Sequence, residues 1–488
     1  MIEPDMRSNL GKSFTGEHSS TTTNSNRRGI NRRDFLRSVA GAAIAGAVLP
    51  QIIPASALGK EGAVSPGNRI GVALIGCGPQ GRGVMGGHLG QPDVQVLAVC
   101  DVWKDHADLA RKIVNDHYKN QDCRTYHDFR DLLARPDIDA VIVGTTDNWH
   151  VPVAIAAANA RKDMYVEKPM APSFGENQLL RRTVRKHKRI FQFGTQQRSS
   201  REFQRAIEMV RNGLVGKLQE ILVWAPASRP GGSVTPAPIP DGLDYDSWLG
   251  PAPATLYTPG KAAAINEDGG TKTWWYNTDY SLGYISAWGI HPMDIALWGH
   301  PTMMRGPMTI EGKAIIPKEG ACNTSIAWDV NFTFADGVQM RFRGTRNNHM
   351  TEPNSLNDFN DMKTRFGLKD HHGHGTLFVG SEGWVEVHRG GLVTGPEILA
   401  DEPLPANGWR SPKITHHQRN FLDCVRSRQP AICPIEDSVQ GDLLCHVADI
   451  ATRLNRKLRF DPEKEKFLGD TAANDRLRVR EMRKPWRL

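Results

Sequence analysis

The sequence predicts an α/β fold in two domains, the first built on a parallel sheet covered by helices on both faces. Three features carry that expectation. From Arg69 onward, short and continuously apolar β-branched runs alternate with helical stretches, and strands that are apolar on both sides belong to sheets buried on both faces. The first such run ends in a glycine-rich turn. The part with a globular pattern is about 430 of the 488 residues, more than one ordinary hydrophobic core sustains.

Residues 1–30 are rich in Ser, Thr and Asn and lead into "NRRDFLRSVAGAAIAGAVLP" (31–50). Arg32-Arg33 stand before Asp34-Phe35-Leu36, an apolar run from Val39 to Leu49 follows, and Ala55-Ser56-Ala57 comes next. A basic region, a short apolar core and a small-residue cleavage site, in that order, describe an export signal. Paired arginines followed by Phe-Leu resemble the twin-arginine signal, whose machinery exports proteins already folded. Residues 1–57 are therefore read as a disordered N-terminus and twin-arginine signal, with the periplasm or another exported compartment as destination. A retained N-terminal anchor is a variant of this reading, and a basic tail the alternative to it. The apolar run is about half the ~20 residues a bilayer span needs, and no later segment is long enough, so no stable membrane span is expected.

The net charge of +8 is spread along the chain and partly belongs to the signal, which gives no reason to expect nucleic-acid binding. Seven cysteines, an odd number without a CxxC pair or zinc-type spacing, lie mostly within apolar patterns. They read as buried free thiols.

Along the first domain (66–192), "RIGVALIGCG", "VQVLAVCD" and "DAVIVGTT" read as strands, and "DHADLARKIVNDHY" and "HVPVAIAAANA" as helices. The turn after the first strand is Gly76-Cys77-Gly78-Pro79-Gln80-Gly81, a G-x-G-x-x-G set between strand and helix. Asp101 ends the second strand twenty residues after Gly81, where a carboxylate accepts hydrogen bonds from an adenosine ribose. Together these predict a dinucleotide site. A carboxylate there repels a 2'-phosphate, so NAD is expected and NADP less so. The bland alternative is a tight turn with a solvated aspartate.

The stretch "TTDNWHVPVAIAAANARKDMYVEKPMA" (145–171) closely resembles the second signature of the glucose-fructose oxidoreductase, inositol dehydrogenase and rhizopine-catabolism (Gfo/Idh/MocA) family, including its triplet Glu167-Lys168-Pro169. The resemblance runs from about Arg69 to Leu488 and takes in "FGTQQRS", "WLGPAP", "AWGIHPMDIALW", "FVGSEGW" and "HHQRNFLDCVRSRQP", as in an exported branch of that family. It implies a Rossmann domain followed by an α/β domain whose large, mostly antiparallel sheet carries the substrate pocket. That second domain is placed at 193–460. "GVQMRFRGTR" and "GTLFVGSEGWVEVHRGG" alternate like strands of such a sheet, and "DSVQGDLLCHVADIATRLNR" has helical spacing. Pro226 to Lys272 reads as a long loop over the pocket, and 461–488 as a tail on the surface.

The resemblance also implies the chemistry. Oxidising a secondary alcohol needs a base for the hydroxyl proton, a position shared in the family by the Lys of the triplet and a His of the second domain, matching Lys168 and His291. Desolvation in the cleft is expected to disfavour the charged form of Lys168. Pro292 places His291 at the first turn of a helix, where the ring tends to stay neutral. The family usually has an Asp four residues before this His, and Ala287 stands there instead. That substitution puts ordinary alcohol dehydrogenation in question, with Asp279 a conceivable replacement.

Thr145, Asn148, His150 and Glu167 are assigned with the glycine loop to the cofactor, with Trp149 between Asn148 and His150 facing it too, and Gln197, Arg198, Trp288 and Asp294 to the substrate. Gln197 and Arg198 equally suit a polar hinge. No metal is expected: "HHGH" (His371, His372, His374) has no carboxylate at a matching spacing and reads as a polar loop. Trp274, Trp275 and Tyr276 either stack on a sugar or pack. The functions consistent with this pattern are an NAD-dependent oxidoreductase of a sugar, cyclitol or glycoside hydroxyl with tightly held cofactor, a redox-neutral glycoside-cleaving or epimerising enzyme, and a non-catalytic sugar-binding protein. A homo-oligomer is expected.

Overall fold

Strands β1 (Ile70–Ile75), β2 (Val94–Cys100), β3 (Arg124–Tyr126), β4 (Ala140–Val143), β5 (Asp163–Val166) and β6 (Phe191–Phe193) pair in the order β3-β2-β1-β4-β5-β6, all parallel. Every residue of β1, β4 and β5 is buried, which is why β1 and β4 read as unbroken apolar runs. The strand order reverses between β1 and β4, opening a crevice at their C-terminal ends. Gly76 sits there with φ +89, and a Cβ on it would lie 2.5 Å from the Gly144 carbonyl carbon. Only glycine fits.

The computed structural model describes residues 66–262, 273–345, 360–368 and 373–488; the segment read as an export signal lies outside them, as do His371 and His372. Among the described residues no helix is long and apolar enough to cross a membrane. All seven cysteines are buried and unpaired.

The second sheet has nine strands in the order β13-β12-β11-β7-β10-β9-β8-β14-β15. They are β7 (Leu218–Pro226), β8 (Met308–Ile315), β9 (Ala327–Thr333), β10 (Gln339–Thr345), β11 (Gly375–Gly380), β12 (Trp384–His388), β13 (Gly391–Gly395), β14 (Leu458–Asp461) and β15 (Lys466–Phe467). Only β7 and β10 run parallel; the other pairs are antiparallel. Helices Arg201–Arg211, Ile290–Gly299 and Ile435–Leu454 pack on this sheet. Ile290–Gly299 is buried along its whole length, so it shows no polar face in the sequence. Helix Ile435–Leu454 also packs on Phe174–His187 of the first domain. At that contact the buried Asp442 accepts from Asn177 Nδ2 at 2.6 Å and from Ser286 Oγ at 3.3 Å.

Two boundaries differ from expectation. Helix His417–Ser427 lies within the span given to the second domain, yet its Phe421, Leu422 and Cys424 belong to the core cluster of the parallel sheet. Arg419 and Arg426 pair with Asp93 there. The segment 461–488 is likewise more than a surface tail. It supplies edge strand β15, buries Ala473 and Leu477, and returns to the first domain, where Arg480 donates to the carbonyl of Asn148 at 3.2 Å.

Candidate active site

A cavity of about 370 Å³ opens over the C-terminal ends of β1 and β4. Gly76, Gly78, Pro79, Gln80, Asp101, Thr145, His150, Glu167 and Lys168 line it. Gly78 begins the helix Pro79–Leu89 with φ −61, and a Cβ there would meet nothing within 4 Å. Its own backbone does not require glycine, so the residue fits a role in letting a ligand approach closely. Gly81 differs: a Cβ would lie 2.0 Å from Gly76 O, so this glycine serves helix-to-strand packing and not the cavity wall.

Asp101 is oriented by two amides, Cys77 N at 2.6 Å and Trp103 N at 2.8 Å, and burial raises its carboxyl above the ordinary range. The two nitrogens of His150 face Pro169 O at 2.6 Å and Thr145 O at 3.1 Å. Burial lowers this ring to about 4, so at neutral pH it is uncharged and donates to one carbonyl. It ties the triplet to the end of β4. These groups suit a dinucleotide: a glycine loop opening a helix, open space at Gly78, and a carboxylate held at the end of β2.

Lys168 extends from the loop after β5 to the second domain, where Nζ donates to Ala287 O at 3.3 Å and lies 5.7 Å from the Trp275 ring centroid. His291, in the first turn of Ile290–Gly299, is 4% exposed. Its Nδ1 has no hydrogen-bond partner. Burial, then the charges of Lys168 and Arg389, hold its pKa well below the ordinary histidine value, so the ring is neutral. Trp288 packs against it with centroids 5.8 Å apart.

Several expected contacts take another form. Arg198 and Asp294 pair with each other away from the cavity wall: Arg198 Nε and Nη2 donate to Asp294 at 2.9 and 2.7 Å, and Nη1 to Asp437 at 2.6 Å. Both are buried, and their hydrogen-bonding capacity is spent on each other. Asn148 is absent from the cavity wall and donates to Leu249 O at 3.2 Å. Gln197 is buried with neither amide atom partnered. Asp279 does not stand in at Ala287; its charge is felt with Arg480 and Lys261. Trp274 and Trp275 do line the cavity.

The sequence reading placed Trp149 facing the cofactor but missed Asp147, Trp248 and Trp486, all on the cavity wall. Asp147 is pushed up to about 7, chiefly by burial, with Lys168 acting against the shift. Its place at the start of the helix after β4 was the available signal. Trp486 packs edge-on against Trp149 at 4.7 Å, a contact between residues 337 apart in the chain that no local pattern announces.

Residues 70–195 match the oxidoreductase family model with an NAD-binding Rossmann fold, and 223–355 with 406–488 match the C-terminal alpha/beta domain model of the same family. The chain belongs to the Gfo/Idh/MocA oxidoreductase family. Its first domain is thus a nicotinamide dinucleotide-binding Rossmann domain. Among curated relatives, a "Glycosyl hydrolase family 109 protein" of Shewanella baltica is 32% identical over 204 residues, 39% of this chain and 44% of the relative. A protein of the same name from Shewanella amazonensis is 33% identical over 202 residues, again 39% and 44%. The match thus spans less than half the length of these relatives. Among solved structures, an aldose-aldose oxidoreductase from Caulobacter crescentus complexed with glycerol aligns with TM-score 0.56 at 16% identity, covering 80% of this chain and 99% of that one. A scyllo-inositol dehydrogenase from Lactobacillus casei with bound NAD(H) and scyllo-inositol gives 0.53 at 15%, covering 80% and 99%. Both share this family's fold.

Proposed function

We propose that this Gfo/Idh/MocA protein is an exported, NAD-dependent oxidoreductase acting on a secondary hydroxyl of a sugar, cyclitol or glycoside, with its cofactor held through many turnovers. The observation that carries the reading is the convergence of Lys168 and the neutral, unpartnered His291 beside a cavity whose other wall is the glycine loop. Bound NAD would supply the hydride acceptor. Gly78 and the first turn of Pro79–Leu89 would hold its pyrophosphate, and Asp101 its ribose, which favours NAD over NADP. Lys168, positioned by Ala287 O, would orient the hydroxyl, and His291 Nδ1 would receive its proton.

A second reading is supported by the likeness to proteins named glycosyl hydrolase family 109 and by Ala287 in place of a carboxylate. In it the sugar is oxidised only transiently, elimination or epimerisation follows, and the hydride returns to the same sugar. Both readings require a cofactor reset in place, and an exported enzyme meets little free NAD. The test is the nucleotide content of protein isolated from the exterior compartment, with turnover of a sugar and glycoside panel measured without added nucleotide. Near-stoichiometric NAD(H) and unaided turnover are expected. Protein that arrives empty, is inactive until NAD is supplied and exchanges it in seconds overturns the proposal. Product analysis separates oxidised sugar from cleaved glycoside.

A further inference from the structure

Arg389 and Gly390 form the turn between β12 and β13, where His388 pairs with Gly391 and Gly390 has φ +97. The Arg389 guanidinium lies 5.0 Å from the centroid of Trp288, three residues before His291. It is close enough to the site to act on both the buried Glu167 and His291. Yet no ion pair or hydrogen bond engages it among the described residues. The nearest carboxylate on its own strand, Glu386, is buried and faces His388 Nδ1 at 2.9 and 3.1 Å. An arginine held over a tryptophan at the mouth of the site, exposed and with no salt bridge or hydrogen bond among the described residues, has its planar donor fork available.

The surface between this cation and Lys168 is aromatic. Lys168 Nζ lies 5.7 Å from Trp275, Trp275 meets Tyr284 at 5.2 Å, Tyr284 meets Trp288 at 6.5 Å, and Trp288 carries Arg389. Such a wall receives the apolar face of a pyranose ring. The nearby acids, Asp147 and Glu167, are both buried and raised by that burial. His374, 5.3 Å from Trp288, adds no negative charge.

We infer that the substrate is an acidic sugar, a pyranoside whose oxyanion substituent is received by the Arg389 fork while the reacting hydroxyl lies at Lys168. The inference rests on the oxidoreductase reading for the second half of that statement only. A uronate carboxylate matches the fork bidentately; a sulfate ester presents the same chemistry from another source.

Calorimetric titration of the protein as isolated, with its cofactor, tests this. The probes are the α and β anomers of methyl glucoside, methyl glucuronoside and methyl glucoside 6-sulfate, at about 0.01 M and at about 0.5 M salt, between which the Debye length falls from about 30 Å to about 4 Å. For one anomer an anionic glycoside is expected to bind at least about tenfold more tightly than the neutral one, the gap narrowing in salt. Arg389→Gln should remove the gap and Arg389→Lys should keep part of it, with melting temperatures checking that both variants fold. A tighter sulfate than uronate assigns the source to sulfate esters. Equal affinities, no binding of either anion, or a gap that survives Arg389→Gln overturns the inference. An anion preference without turnover would instead overturn the oxidoreductase reading alone, and turnover of neutral sugars without the preference this inference alone.

Discussion

Replacing Asp147 with Asn tests the electrostatics of the cavity directly. Asp147 is 2% exposed and its carboxyl is raised to about 7, first by burial and then by Asp442 and Glu167, against the Ser281 hydroxyl and Lys168. In the unfolded chain an aspartate titrates at about 3.9. Because the folded value is the higher one, the folded state keeps its proton where the unfolded state has lost it. The group's contribution to stability is thus fully present below about pH 4 and is lost as the pH rises through about 7. At about 1.36 kcal/mol per pKa unit, the loss reaches about 4 kcal/mol. Asn is neutral throughout and retains a carbonyl oxygen for Ser281. The stability difference between Asp147→Asn and wild type should therefore move in favour of the variant by up to about 4 kcal/mol between pH 4 and pH 8. Denaturant titrations read by tryptophan fluorescence across that range measure it. A difference that is constant with pH, or that moves in favour of wild type as pH rises, would refute the reasoning and show Asp147 to be ionised in the fold through Lys168.

Lys168→Ala should lower turnover by roughly 10²-fold or more with nearly unchanged NAD content, read by steady-state kinetics and released nucleotide. The two loop glycines should separate: Gly78→Ala should leave the melting temperature close to wild type and lose NAD, whereas Gly81→Ala, with a Cβ 2.0 Å from Gly76 O, should lower the melting temperature as well. Arg198→Ala leaves Asp294 buried without its cation and should cost about 3–5 kcal/mol by denaturant titration; a raised KM with unchanged stability would return Arg198 to the substrate site. Trp486→Ala opens the cavity wall beside Trp149 and should speed NAD release about tenfold in a dilution assay, with equal release rates counting against a role for the C-terminal segment.

What the sequence disclosed follows the range of each signal. β1, β2 and β4 were legible because buried parallel strands are apolar without interruption, and the glycine loop because its spacing is local. β3, with two exposed residues out of three, and the two short strands β5 and β6 carry too little pattern to be seen. Arg198 and Asp294 were misread for a physical reason. A charged residue beside a histidine proposed to be catalytic looks like a ligand-binding group until its partner, 96 residues away, is placed against it at 2.7 Å. Helix His417–Ser427 falls inside the 193–460 span yet packs on the parallel sheet, because an amphipathic pattern reveals a buried face and not which sheet that face meets.

The tryptophans of the cavity wall bear on the proposal that the protein is exported with its cofactor. Trp149 comes from the helix after β4, Trp248 from the helix Tyr245–Leu249, Trp275 from the segment before His291 and Trp486 from the third residue from the C-terminus, and all meet on one cavity. The indole of Trp149 donates to Trp248 O at 3.1 Å, Arg130 stands over Trp486 at 5.6 Å, and Arg483 donates to Gly250 O at 3.0 Å. A wall assembled from parts this distant in the chain forms only once the whole chain has folded. On the proposed reading, the cofactor is enclosed at that moment, inside the compartment where it is abundant, and leaves only if the C-terminal segment moves. An enclosed cofactor cannot be exchanged between turnovers. The hydride it takes must go back to the same sugar or to a second substrate at the same mouth, where Lys168 and His291 are the groups placed to manage the proton in both directions.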